Sequence, residues 1–184
     1  MITEQVDAIL QPLGFRRRGA VWNRSRDDNV DAIDIQISRN GDTYTLEAGV
    51  LNRATHEIFW GTEIEKFVEP PMCTVSDRAG NILYGADKWW NVNDQNDEIS
   101  MVIAKVLDFI GQMHTQAGMM QRLIETEVIK NRYPPPVINL AILKFKNGKP
   151  QEARKILDDL RRKTSGSWLE RIAQIENRLG LLER

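Results

Sequence analysis

Gln36, Glu47, Arg78 and Asp87 are the side chains in this chain best suited to hold a small polar molecule, and two adjacent indoles, Trp89 and Trp90, follow directly on the last of them. Gln36 and Glu47 occupy polar positions in segments where apolar and polar residues alternate. Arg78 and Asp87 lie on either side of a glycine-bearing bend. On the polar face of a sheet the four would form a hydrogen-bonding cluster able to seat a ligand or a substrate, although such a face commonly just meets water. The indoles suggest a different use. Adjacent side chains in extended backbone point to opposite faces, so one tryptophan fits a core while the other covers a helix, lines a groove or meets a partner. Asp87, Trp89 and Trp90 are therefore the candidates for partner binding, and Gln36, Glu47 and Arg78 the candidates for ligand binding.

Other chemistry finds little support. The strong nitrogen and sulfur ligands are His56, Cys73 and His114, far apart and without a second ligand three to five residues away, so no metal site is expected. Cys73 has no flanking base and reads as an inert, partly buried thiol. Neither Gly-x-Ser-x-Gly nor a phosphate-binding Gly-x-x-x-x-Gly-Lys-Ser/Thr occurs, and the abundant carboxylates do not by themselves define an acid-base pair. No cofactor is expected, and the balance leans against an enzyme.

The chain has 184 residues, 41% of them hydrophobic, a single cysteine and a net charge of -1. That is enough for a full core without disulfides, and the lone cysteine points to a reducing cytoplasm. The acidic start, Met1 to Asp7, is unlike a secretory leader, and no run approaches the roughly 20 apolar residues that span a bilayer. Charge is unevenly spread: between His56 and Glu98 there are nine acids and three bases, and from Lys149 to Arg184 nine bases and six acids. The acidic middle disfavours nucleic acid as a partner and suits a basic protein. Arg16-Arg17-Arg18, with Arg24 and Arg26 near Phe15 and Trp22, reads as a turn and a solvated hairpin edge ahead of RNA binding.

The elements that must position these residues follow from periodicity. Thr3 to Gln11 predicts a short helix, with Thr3 as its N-cap and Pro12 with Gly14 stopping it. A first strand is expected at Val21-Trp22, after a corner at Arg16 to Gly19. Ile33, Ile35 and Ile37 alternate with polar residues, as do Tyr44, Leu46, Ala48 and Val50, and Asn40-Gly41 between them marks a hairpin turn. A short helix is expected near Thr62 to Phe67. A second hairpin is expected from Thr74 to Asp77 and Ile82 to Tyr84, turning at Ala79-Gly80-Asn81, with Trp89-Trp90 ending that ladder or beginning another strand.

From Asn96 the period becomes helical, with Ile99, Val102, Ile103, Val106, Leu107 and Ile110 on one stripe. A second helix carries Met120, Leu123, Ile124 and Val128 and ends before Pro134-Pro135-Pro136. Val137 to Lys146 and Pro150 to Lys163 form a helical hairpin turning at Asn147-Gly148-Lys149. Trp168, Ile172, Ile175 and Leu179 line a last helix, whose apolar strip suits either its own domain or another copy, leaving a homodimer open.

Cys73, Arg78-x-Gly80-x-x-Leu83 and Asp87-Lys88-Trp89-Trp90, preceded by Leu13-Gly14-Phe15-Arg16-Arg17-Arg18-Gly19, Val21-Trp22-Asn23-Arg24, Ile35-Gln36 and Ala48-Gly49-Val50, resemble an uncharacterised bacterial family, domain of unknown function 4304. The resemblance covers roughly Ile2 to Ile110. It implies a small α+β domain and supplies no activity, cofactor or catalytic residue. The expected architecture is thus α+β: an antiparallel sheet of about four to six strands packed by helices at 1–133, followed by a helical subdomain at 134–184. The expected function is noncatalytic binding of a protein partner in the cytoplasm, by analogy with immunity proteins. Its alternative is a small-ligand-binding protein or enzyme that uses the polar face of the sheet.

Overall fold

The computed structural model describes residues 2–64, 67–93, 96–125 and 133–181. Packing divides the chain into two units, Met1–Asn52 with Glu65–His114, and Arg53–Ile64 with Thr115–Arg184.

The first unit opens with α1 (Ile2–Leu10), whose Ile2, Val6 and Leu10, spaced by four, form one buried stripe. Because the helix starts at Ile2, Thr3 lies inside its first turn and is not its N-cap. A turn of 3₁₀ helix at Gln11–Leu13 ends at Gly14, whose φ of 87° is open to glycine at little cost. The expected corner at Arg16 to Gly19 is instead an edge strand, β1 (Arg16–Arg18), paired antiparallel with β2 (Val21–Arg26). Three exposed arginines on an edge discourage pairing with another sheet.

The Asn40-Gly41 turn joins β3 (Asn29–Ile37) to β4 (Thr43–Asn52) in an unbroken antiparallel ladder from Asn29↔Asn52 to Ile37↔Tyr44. Positive φ is needed only at Gly41, because Ser38 and Asp42 close a wider loop through Ser38 Oγ to Asp42 Oδ1 at 2.7 Å. Along its other edge β4 pairs with β5 (Val75–Arg78) at Glu47 to Val50, and with the two-residue β6 (Trp90–Asn91) at Thr43 and Tyr44. The sheet is antiparallel, in the order β1-β2-β3-β4-β5, with β6 on β4. The second hairpin does not form. Ala79 to Tyr84 make a helix, α3, stopped by Gly85 in the left-handed conformation with its N–H on Asn81 O at 3.0 Å.

One face of the sheet presents Trp22, Ile33, Ile35, Tyr44, Leu46, Ala48, Val50 and Trp90, all buried. Helix α4 (Asn96–Gln112) adds Ile99, Val102, Ile103, Val106, Phe109 and Ile110 to this core. At 100° per residue Leu107 and Phe109 are the two borders of the same stripe, and it is Phe109 that is buried while Leu107 is half-buried.

The opposite face is not evenly wet. The segment Phe67 to Cys73 crosses the row formed by Asn23, Ala32 and Gly49. Asn23 holds its backbone from both sides, donating from Nδ2 to Val68 O at 2.8 Å and accepting from Val68 N at 2.6 Å. Gly49 lies under Cys73 so closely that an added Cβ would stand 2.7 Å from Cys73 Cβ and 2.8 Å from Val75 O. Gly49→Ala is therefore expected to destabilise the protein by about 1–3 kcal/mol in urea unfolding, since neither obstacle is a flexible side-chain end.

The second unit is helical. It comprises α2 (Arg53–Trp60), α5 (Gln116–Glu125), α6 (Pro134–Lys146), α7 (Pro150–Arg161) and α8 (Ser167–Leu179). Its core joins Phe59 of α2 to Ile138 and Ile142 of α6, Leu157 of α7, and Ile172, Ile175 and Leu179 of α8. Arg178 Nη1 donates to Ile58 O at 2.9 Å and Phe59 O at 3.1 Å, and Arg171 Nη1 to Trp60 O at 3.3 Å. They satisfy the open carbonyls at the end of α2. The helix expected near Thr62 to Phe67 is thus displaced to Arg53–Trp60; 62–64 are not helical, and 65–66 lie outside the described residues. The tri-proline forms the first turn of α6, where missing N–H groups cost nothing. Gly148, with φ 74°, turns α6 into α7. Val128 and the end of the second helix fall outside the described residues.

Candidate functional site

The polar half of the sheet face is built by period two. Asp34 and Gln36 of β3, Thr45 and Glu47 of β4, and Ser76 and Arg78 of β5 all project to the side left clear by Phe67 to Cys73, with Asp34 opposite Glu47 and Glu47 opposite Arg78. A continuous chain of bonds links them. Arg78 Nη1 meets Asp87 Oδ2 at 3.0 Å, and its Nη2 donates to Gln36 Oε1 at 3.2 Å. Gln36 Nε2 donates to Glu47 Oε2 at 3.4 Å, and Ser76 Oγ to Glu47 Oε1 at 3.2 Å.

Asp87 reaches this face because of α3. Asp77 Oδ1 accepts from Arg78 N and Asn81 Nδ2, both at 2.8 Å, which pins the strand-to-helix junction. Gly80 then packs against the returning chain, where a Cβ would lie 2.3 Å from Lys88 N. Where the chain enters β6 the two tryptophans part. Trp90 is 1% exposed, its ring 6.0 Å from that of Tyr44. Trp89 is 38% exposed, with the Arg78 guanidinium 5.7 Å from its ring centroid. Gln36, Glu47, Arg78, Asp87 and Trp89 therefore belong to one cluster. Trp90 is separated from it as a core residue, because alternation turns its side chain through the sheet.

Two carboxylates here are out of the ordinary. Burial pushes the Asp34 carboxyl above its usual range, and burial together with the facing Asp34 does the same to Glu47. Both groups hold protons more firmly folded than unfolded, so their contribution to stability is greatest below about pH 4, declines as pH rises through the raised folded values, and stays low above them. Glu47→Gln is therefore expected to raise Tm at pH 7 by roughly 2–4 °C, with the gain vanishing near pH 4. Thermal melts across that range check it.

Other polar groups serve the fold. Asp31, fully buried, accepts from Arg24 Nε at 2.9 Å and meets His114 Nε2 at 2.6 Å. Burial raises the Cys73 thiol well above its usual range and lowers His56 below its own. Among the described residues no group of three His, Cys, Asp or Glu side chains converges to hold a metal. Asp34, Thr45 and Ser76 are not among the site residues expected from the sequence, although the same period of two places them beside Gln36, Glu47 and Arg78. Asp31 also carried a signal: it interrupts the apolar row continued by Ile33 and Ile35.

An antiparallel sheet with helices on one face and a bonded polar cluster on the other defines a small α+β domain. The chain belongs to the family described as Domain of unknown function (DUF4304), which matches residues 6–117. Helices α6 to α8 lie C-terminal to that match. No curated protein and no solved structure matches the chain. Among the described residues no helix is long and apolar enough to cross a membrane.

Proposed function

We propose that this chain is a noncatalytic, cytoplasmic protein-binding module, immunity-like in that it covers a basic protein with an acidic surface bearing an aromatic anchor. The observation that carries the reading is Trp89. It stands 38% exposed, next to a tryptophan that is buried, and is held by Arg78 within a cluster that also contains Asp87. Tyr84, 52% exposed with Lys88 Nζ 4.7 Å from its ring, is a second exposed aromatic side chain of the same segment. Trp, Tyr and Arg dominate binding energetics because a rigid aromatic surface is desolvated at little entropic cost.

With a partner captured from native extract and then purified, Trp89→Ala is expected to weaken binding by at least about 30-fold, and added salt to weaken it further. Affinity insensitive to both changes overturns the reading.

The alternative is a small-ligand-binding protein or enzyme acting on the polar sheet face, favoured by the continuous Arg78–Gln36–Glu47 bonding. A small polar ligand whose stabilisation of the protein disappears in Arg78→Gln would support that alternative instead.

A further inference from the structure

Among the described residues two buried atoms on the polar sheet face have no hydrogen-bond partner, Thr45 Oγ1 and Asp34 Oδ1, the Asp34 carboxyl being met otherwise by the Gln36 side chain and the Glu47 backbone N–H. Thr45 is fully buried and lies directly opposite Gln36 in the ladder, on the same face as Glu47. Leaving buried acceptors unpaired is costly, and a carboxylate oxygen more so than a hydroxyl. Charge is unbalanced at the same place. Arg78 is already engaged by Asp87 and Gln36, so its one positive charge is shared among Asp87, Asp34 and Glu47, while Glu69 adds negative charge near Asp34 and Asp77 near Glu47. What the site lacks is a positively charged hydrogen-bond donor.

We infer that this face seats the tip of a basic side chain, an arginine or lysine, presented by the protein partner, with Asp34 and Glu47 accepting its N–H groups and Thr45 Oγ1 completing the seat. The inference rests on the protein-binding reading and deepens it: Trp89 anchors the partner, and the carboxylate pair selects a basic residue beside it. Entry requires Gln36 to swing aside. Its bond to Glu47, 3.4 Å long, is the weakest link of the chain, so a charged donor displaces it readily. An incoming cation removes the repulsion between the two carboxylates, so binding strengthens as both ionise and weakens as salt is added.

The test uses the full chain and three blocked amino acids, the methylamides of N-acetylarginine, N-acetyllysine and, as neutral control, N-acetylglutamine. Binding is followed through the backbone amide NMR signals of Asp34, Gln36, Thr45, Glu47, Ser76 and Arg78. A saturable shift is expected with at least one cationic probe and none with the neutral one. Asp34→Asn and Glu47→Gln should each weaken it by at least about tenfold. Thr45→Val guards against a folding artefact, since it removes an unpaired buried hydroxyl and should bind more weakly while melting no lower than the parent. No saturable shift, an equal response to the neutral probe, or undiminished binding in the double variant Asp34→Asn/Glu47→Gln overturns the inference.

With a purified partner the two readings separate. Loss of binding in Trp89→Ala with none in the double variant removes the basic-residue seat and keeps the protein-binding module. Saturable binding of the arginine probe by a chain that binds no protein keeps the seat's chemistry and removes the module.

Discussion

Trp90→Ala is expected to cost the fold about 3–5 kcal/mol, whereas the same change one residue earlier, Trp89→Ala, costs no more than about 1 kcal/mol. Trp90 is 1% exposed and stacks on Tyr44, which is itself the residue it opposes in the β4–β6 pairing. Removing its indole empties a space walled by a strand on one side and by core side chains on the other, where little can collapse. It also loosens β6, which has only two residues to hold it. Trp89 loses a half-exposed ring and a contact with Arg78, and water fills the space. Urea unfolding of the two variants measures the difference. Equal losses, or a larger loss at Trp89, would contradict the assignment of one ring to the core and the other to the surface. The same pair also separates stability from binding, because the stable variant, Trp89→Ala, is the one expected to lose the partner.

Asp31→Ala is expected to destabilise the protein by about 3–5 kcal/mol, as much as the loss of a core tryptophan. Its carboxylate is fully buried, and it is shared by Arg24, through both Nε and Nη2 at 2.9 Å, and by His114 Nε2 at 2.6 Å. Arg24 is further committed to Leu13 O at 3.1 Å and stacks 4.3 Å from the centroid of Phe15, so it cannot swing to solvent without giving these up. Without Asp31 the guanidinium, whose side chain is 11% exposed, stays buried without its counter-charge. The damage is expected to come from the orphaned cation more than from the lost bond. Arg24→Met combined with Asp31→Leu should then cost clearly less than the two single changes added together, since an apolar pair leaves no charge unpaired. Denaturant midpoints for the four proteins of this cycle decide it. Additive losses would assign the cost to packing alone.

Much of the fold was legible because it depends on short-range period. The β3–β4 hairpin, the α4 stripe, the α6–α7 turn at Gly148 and the last helix all follow from alternation or from a repeat of three and four, together with a glycine where φ must be positive. The DUF4304 resemblance was likewise carried by local residues. The errors fell where two local readings compete. Ala79-Gly80-Asn81 suits a hairpin turn as well as a first helical turn, and the choice is made by Gly80 packing against the Lys88 backbone. Leu107 and Phe109 border the stripe equally, and only the docking of α4 selects one. Helix α2 has too few apolar residues to announce itself, and it is ordered by Phe59 in the core of the second unit and by Arg171 and Arg178 at its carbonyls, more than a hundred positions away in the chain.

The candidate site divides along the same line. Composition and period identified Gln36, Glu47, Arg78, Asp87 and the two tryptophans and put Gln36 and Glu47 at polar positions of alternating strands, because residue type and alternation are properties of the chain itself. That Trp89 and not Trp90 remains exposed, that Arg78 ties Asp87 to Gln36, and that Asp34 Oδ1 and Thr45 Oγ1 lie buried without a hydrogen-bond partner among the described residues depends on the register of three strands and on a crossing segment held by Asn23. Register is a relation between distant segments, and no local pattern in the chain specifies it.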